Sequence, residues 1–257
     1  QFNRGGWMNT PELLQQLDAV EIQLGQGAQG SSPQRTQSNQ IGEDMRAVLR
    51  LEDGEDAVIH SRLPGVNSPK DFVALVKAIK DCTEGVPVGL KFAATHYMER
   101  ELAIALEAGV DYIVVDGAEA GSHAAEAILA DDLGLPTLPA LVRAVDYLER
   151  SGKRDEVTVI ASGGLRTPGE FLKAIALGAD CVYIGTTAIL ALIGEQIAAA
   201  APWEPPTELV LYTGSRKDQF DIDKGVSSLV RFLVACCKEM ESALISMGRE
   251  SIADVSR

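Results

Sequence analysis

Ile160-Ala-Ser-Gly-Gly-Leu-Arg-Thr-Pro-Gly-Glu-Phe-Leu-Lys-Ala-Ile-Ala-Leu-Gly-Ala-Asp-Cys-Val-Tyr-Ile-Gly-Thr-Thr187 reads as strand, Gly-Gly turn, helix, strand and Gly-Thr turn. Two strands in succession each end in glycine where a helix begins. Backbone N–H groups at such a place are free to point at an anion, and the helix dipole favours negative charge there. In an eight-stranded β/α barrel the loops after the seventh and eighth strands form a phosphate site of this kind. The stretch therefore predicts parallel β/α units and a ligand that carries a phosphate.

The rest of the chain keeps the same rhythm. Apolar runs at Asp18–Leu24, Pro87–Ala93, Tyr112–Asp116, Val157–Ser162 and Cys181–Ile184 read as buried strands. Helical periodicity predicts helices over Ser68–Asp81, with Ser68 as cap and Pro69 in the first turn, and over Met98–Ala108, Leu138–Arg150 and Gly169–Leu177. Strands alternating with helices call for a parallel sheet. The stretches Gly25–Ser68, polar and glycine-bearing, and Gly117–Pro139, rich in Ala and Gly, read as long functional loops. Ala200–Thr207 stops any helix. Lys224–Arg249 then reads as an amphipathic helix, with Val226, Leu229, Phe232, Leu233, Cys236, Met240, Leu244 and Met247 as its docking stripe. The expected division is a partial barrel over 1–199 and a linker with a packed helical extension over 200–257. A closed barrel of this class needs eight strands, and five are visible.

Composition narrows the function. The 257 residues carry 23 Lys plus Arg against 37 Asp plus Glu, a net charge of −14, with no basic stripe, which argues against nucleic acid. No apolar run is long enough to span a membrane, and no signal peptide opens the chain. Cys82, Cys181, Cys236 and Cys237 form no C-x-x-C pair, so reduced, buried thiols in a cytoplasmic protein are expected. No His, Cys or carboxylate spacing suggests a metal, and no nucleophile elbow or P-loop is present. The opening Gln1-Phe-Asn-Arg-Gly-Gly has the look of mid-domain sequence.

Strand alternation selects candidate site residues. Val20, Ile22 and Leu24 turn to the helices, and Glu21, Gln23 and Gly25 to the barrel interior. Gly89, Lys91 and Ala93 share one face of the next strand, so Lys91 and Glu21 are expected to meet near the barrel mouth. A lysine inside a strand needs either an ion-pair partner or an anionic or electron-rich ligand. Asp116-Gly-Ala-Glu-Ala-Gly-Ser-His123 ends the third run, with Gly117 and Gly121 letting backbone approach a ligand or simply making the turn. His60, His96 and His123 are candidate acids or bases, none with a supporting partner in sequence.

Taken together, Thr10-Pro-Glu-Leu-Leu, Val20-Glu-Ile-Gln-Leu-Gly-Gln-Gly-Ala28, Pro87-Val-Gly-Leu-Lys91, Val115-Asp-Gly-Ala-Glu-Ala-Gly121, Ile160–Pro168, Ala176–Thr187 and the tail Asp223-Lys-Gly-Val, Lys238-Glu-Met-Glu and Gly248–Ser256 resemble the FMN-binding domain of the glutamate synthase family. The resemblance implies the last five β/α units of a (β/α)8 TIM barrel, starting just after the third strand. It implies FMN and the reductive amination of 2-oxoglutarate, or a similar oxo acid, to an amino acid. The phosphate falls to Ser162, Gly163, Gly164, Gly185 and Thr186. Lys91 becomes the cation near the flavin, with Asp116, Gly117 and Gly121 also at the cofactor. Glu21 and Gln26 line the substrate side. Implied partners are an electron-donor protein such as ferredoxin and the segment or subunit that completes the barrel.

Departures from the family stand beside the likeness. Gln23 replaces a lysine, and Gln29-Gly-Ser31 replaces Lys-Pro-Gly, which removes positive charge from the substrate side. The cysteines of a 3Fe-4S cluster are absent from Ala198–Pro206, so no iron–sulfur cluster is expected in this chain. Two alternatives compete. One is another phosphate-binding barrel, like inosine-monophosphate dehydrogenase or isopentenyl-diphosphate isomerase, against the first of which Gly121-Ser-His lacks the nucleophilic Cys. The other is a non-catalytic remnant or assembly component.

Overall fold

The computed structural model describes residues 1–7, 9–121, 125–199, 209–210 and 214–255. It divides into two units, Gln1–Gly163 with Gly178–Cys181, and Gly164–Leu177 with Val182–Arg257.

The first unit is built on a sheet. Strands β1 (Val20–Gln23), β4 (Val88–Ala93), β5 (Tyr112–Asp116), β6 (Thr158–Ser162) and β7 (Cys181–Tyr183) are adjacent in that order, so the strands predicted from apolar runs all form. β1, β4, β5 and β6 run parallel, with Gln23 opposite Lys91, Lys91 opposite Val114, and Asp116 opposite Ser162. Phe2 adds a parallel bridge to Ile22 at the β1 edge. Helices α3 (Pro69–Cys82), α4 (Met98–Ala108) and α6 (Thr137–Arg150) follow the expected spans closely. Ser68 Oγ accepts from Asp71 N at 3.3 Å to cap α3, and Gly109 ends α4 at φ 71°, a left-handed turn that glycine makes without strain.

Alternation gives the sheet two faces. Val20, Ile22, Leu90, Phe92, Ile113, Val115, Val159 and Ala161 form one, buried with the stripes Phe72, Val76 and Ile79 of α3 and Leu141, Ala144 and Leu148 of α6. Each such aliphatic or aromatic side chain contributes roughly 1.5–3 kcal/mol through burial. Glu21, Lys91, Asp116 and Ser162 occupy the other face.

Gly25–Ser68 is more ordered than its polarity predicts. Strands β2 (Gln34–Thr36) and β3 (Ala57–Ile59) pair antiparallel, and α2 (Glu43–Leu49) lies between them in sequence. Asp56 binds the hairpin together, accepting from Ser38 N at 2.7 Å and pairing with Arg35.

In the second unit α7 (Pro168–Ala176) opens with a reciprocal capping box between Thr167 and Glu170. After α8 (Thr186–Ile193), the helix Ile222–Ser246 packs on α8 and α7. A side chain at Gly225 would press on Phe220 and the Leu192 carbonyl, so glycine sets the closeness of that packing. The docking stripe is narrower than predicted. Cys236 is buried and Leu229, Phe232, Met240 and Leu244 are half-buried, whereas Val226, Leu233 and Met247 are exposed. At 100° per residue Val226 and Leu233 fall on the flank of the stripe, and Met247 lies just past the last turn. The thiols are unbonded as expected, but only Cys236 is buried; Cys181 and Cys237 are exposed.

Candidate functional site

The polar face of the sheet is where the sequence placed its site, and its geometry is confined to the first unit. Register puts Lys91 on β4 and Asp116 on β5 diagonally on one face. Lys91 Nζ lies 3.4 Å from Asp116 Oδ1. Asp116 is fully buried, and its other oxygen accepts from Gly27 N at 2.8 Å. Oδ1 accepts no hydrogen bond among the described residues, so the ammonium holds it by charge and not by a directed bond. Lys91 is 9% exposed, with its remaining donors unspent among the described residues. A buried cation loosely held at the end of a strand is positioned to meet a ligand as well as its carboxylate.

Lys91 therefore turns to Asp116 and not to Glu21, which was expected to meet it. Glu21 pairs in register with Gly89, one step below the level of Lys91; its Oε1 accepts from Gln1 Nε2 at 2.8 Å. Gln26 sits in the turn after β1, bridged to Gly30, and its Oε1 accepts from Gln29 Nε2 at 2.7 Å. The structure does not join Glu21 or Gln26 to Lys91 by a hydrogen bond among the described residues.

The glycines after β1, β5 and β6 serve one another first. A Cβ on Gly27 would overlap the Gly117 carbonyl, one on Gly117 would overlap Thr137, and one on Gly163 would meet Thr137 Oγ1 and lie 3.2 Å from Ala120 N. Thr137 ties the loops after β5 and β6: its Oγ1 donates to Gly163 O at 2.9 Å and contacts Glu119 Oε2 at 2.7 Å, and its N donates to the same Glu119 oxygen at 2.7 Å. Gly117 N donates to Ser162 O at 2.9 Å. The close approach read from the glycines of Asp116–Gly121 is thus met by backbone and Thr137, whose part the sequence reading missed. Gly121 is exposed, with nothing nearer than 4.0 Å to a Cβ there.

Of the phosphate candidates, Ser162 and Gly163 belong to the first unit and Gly164, Gly185 and Thr186 to the second. Gly163 and Gly164 both take positive φ, 122° and 67°, which glycine alone adopts freely. Gly185 caps α8 with no side-chain hydrogen bond to the first turn, and a Cβ there would meet nothing within 4 Å. The leading N–H groups of α8 therefore lack the intrahelical partners that later turns have.

His60 and His96 are exposed, the latter edge-on to Tyr97 at 5.0 Å, and His123 lies outside the described residues. No group of three or more His, Cys, Asp or Glu is placed to hold a metal among the described residues. No described helix is long and apolar enough to cross a membrane.

Comparison with known proteins bears on the family and the fold. The profile of the conserved region in glutamate synthase matches residues 1–249. The archaeal-type glutamate synthase (NADPH) of Thermotoga maritima is 37% identical over 193 residues, covering 75% of this chain and 38% of that protein. The archaeal glutamate synthase (NADPH) of Methanocaldococcus jannaschii is 34% identical over 249 residues, covering 94% of this chain and 48% of that one. A glutamate synthase large subunit-like protein of Rhizobium meliloti is 31% identical over 185 residues, covering 71% and 41%. The chain thus spans less than half the length of these relatives. Among solved structures, a flavocytochrome b2 variant with benzoylformate gives a TM-score of 0.56 at 18% identity, covering 96% of this chain and 49% of that one. A lactate oxidase of Pediococcus acidilactici gives 0.54 at 19%, covering 95% and 55%. At these identities the likeness is one of fold: α/β, in the (β/α)8-barrel class, with five parallel-barrel strands in this chain.

Proposed function

The chain belongs to the glutamate synthase family, and from that premise we propose that it is the FMN-binding part of a glutamate synthase-like oxidoreductase that aminates 2-oxoglutarate or a similar oxo acid. The observation that carries this reading is Lys91, a buried ammonium on the polar sheet face with only a 3.4 Å contact to Asp116 to balance it.

The residues suit FMN. Gly164, Gly185 and Thr186 offer glycine backbone and free N–H groups at the start of α8, the chemistry a phosphate needs. We assign the phosphate to them. Held by these residues and reduced by the donor, FMN would supply hydride chemistry toward an imine of ammonia and the oxo acid. Lys91 places positive charge where the ring gains negative charge on reduction, and Asp116 holds the ammonium in place. Glu21 and Gln26 line the substrate side, where a carboxyl and an amide can hold an ammonia-derived nitrogen. Reducing equivalents come from a donor protein such as ferredoxin or, as the relatives' names indicate, from NADPH. The strands needed to close the barrel come from a further segment or a partner subunit.

The test is the visible spectrum of the full-length protein, with mass spectrometry of the released cofactor. FMN is expected. Gly164→Asp, which puts a carboxylate where the phosphate belongs, should leave the folded protein colourless. Lys91→Met should retain FMN less well or slow its reoxidation by substrate. A folded wild-type protein that is colourless and takes up no added FMN overturns the reading in favour of a non-catalytic component.

A further inference from the structure

Among the described residues Arg4 is the most deeply buried cation of the first unit, 4% exposed, against 9% for Lys91. Its Nη1 donates to His60 O at 3.0 Å and to Ser32 O at 3.4 Å. No carboxylate lies within ion-pair range of it among the described residues. Burial pulls its pKa below the usual value, the direction expected of a charge taken out of water without a counter-charge. A guanidinium has five donors and stays charged in a protein. Two carbonyls take Nη1, and Nε and Nη2 have no hydrogen-bond partner among the described residues.

Arg4 opens on a cleft of about 270 Å³, below the drug-sized range and suited to a small metabolite. Arg62 stands at its exposed rim, and Leu63 and Phe92 give it an apolar wall. The cleft's one carboxylate, Glu101, accepts from Thr95 Oγ1 at 3.3 Å, and desolvation pushes it toward its neutral form. The cleft therefore carries net positive charge. Phe92 is the immediate neighbour of Lys91 on β4, so its side chain points to the opposite face of the sheet. The cleft lies at the C-terminal ends of β1 and β4 and is lined from both faces, by Phe92 on one and Ala93 on the other; Lys91 does not line it.

We propose that this cleft is a second ligand site, for a small aliphatic carboxylate, with its carboxylate on the Arg4 guanidinium, Arg62 closing the mouth and its carbon chain against Leu63 and Phe92. The planar fork of arginine matches a carboxylate in two parallel bonds. The apolar wall favours an aliphatic acid over inorganic phosphate, which has no carbon to lay against it.

Calorimetric titration of the full-length protein with succinate, and separately with inorganic phosphate, tests this. Saturable succinate binding is expected, weakened about tenfold in Arg62→Ala, as for loss of one charge-assisted contact, and abolished in Arg62→Glu. Both substitutions are at an exposed side chain, and circular dichroism checks that each variant is folded. Arg4→Lys, checked for folding by circular dichroism, should lose binding although charge is kept. Absence of succinate binding, or binding indifferent to both Arg62 variants, overturns the proposal. Phosphate binding as tightly as succinate overturns the choice of a carboxylate. FMN content, read by absorbance on the same samples, fails or holds separately.

Discussion

The two faces of β1, β4, β5 and β6 are almost equally dry and chemically opposite. On one, Ile22, Ile113, Val115 and Val159 are fully buried among helices. On the other, Asp116 is fully buried too, with Lys91 and Glu21 nearly so. Burial alone does not distinguish a core from a site. What does is whether the buried groups are ones that water would have held better. The apolar face stabilises the fold by being dry, whereas the polar face costs stability by being dry. Asp116 and Lys91 stay there at that cost, which is the physical reason to look for a ligand beside them.

The comparison is sharpest where a change leaves volume alone. Asp116→Asn keeps shape and removes the charge that balances Lys91. Breaking a buried pair by removing one partner costs about 3–5 kcal/mol. The value here should sit near the lower end, because Nζ is 3.4 Å away and the Lys91 side chain keeps 11% exposure. Urea denaturation of the flavin-free protein measures it. A cost below about 1 kcal/mol, typical of solvated pairs, would mean that water screens this face and that it is not dry in solution.

On the opposite face, volume should count and charge has no part. Ile113→Val removes one methylene from a position with no exposure and should cost about 0.5–1.5 kcal/mol with an unchanged urea m-value. FMN retention should be unaffected. If Ile113→Val instead released the flavin, the two faces would be coupled and the separation drawn between them would fail.

Much of this arrangement was legible in the sequence, and what was not has identifiable causes. β5 and α4 fall on the very residues predicted, Tyr112–Asp116 and Met98–Ala108, because buried parallel strands are unbroken apolar runs and this helix ends on a glycine. β2 was invisible: Gln34-Arg-Thr is three polar residues whose strand character comes from pairing with Ala57–Ile59 and from Asp56. The face of Lys91 followed from alternation, but its partner did not, since alternation within a strand gives no register between strands. Register makes both Glu21 and Asp116 diagonal neighbours of Lys91, the first toward the start of the strands and the second toward their ends, and the ammonium lies at the second. Thr137 and Arg4 left no signal at all. Thr137 opens α6 and Arg4 lies before the first strand, and each matters through contacts with loops far away in sequence.

The smallest expected effect belongs to the rim of the apolar face, where solvent reaches both partners. Arg143 on α6 grips Glu99 on α4 through two bonds, Nε to Oε1 at 2.9 Å and Nη2 to Oε2 at 2.6 Å. The Arg143 hydrogen bond holds the Glu99 carboxyl below its ordinary value of 4.5, against a smaller opposing effect of desolvation. A depressed folded-state pKa means that the unfolded chain binds the proton more readily. The contribution is therefore complete above the ordinary value and is lost as pH falls through the depressed one. Arg143→Met should lower stability at pH 7 by no more than about 1 kcal/mol, because both side chains are about one-third exposed. It should also flatten the acid limb of the stability curve by the same amount. Urea midpoints of wild type and variant at neutral pH and below the ordinary glutamate value give both numbers. Equal acid limbs would show that the pair, although bidentate, adds nothing. The helix-covered face would then owe its stability to packing alone, and the contrast with the charged face would be complete.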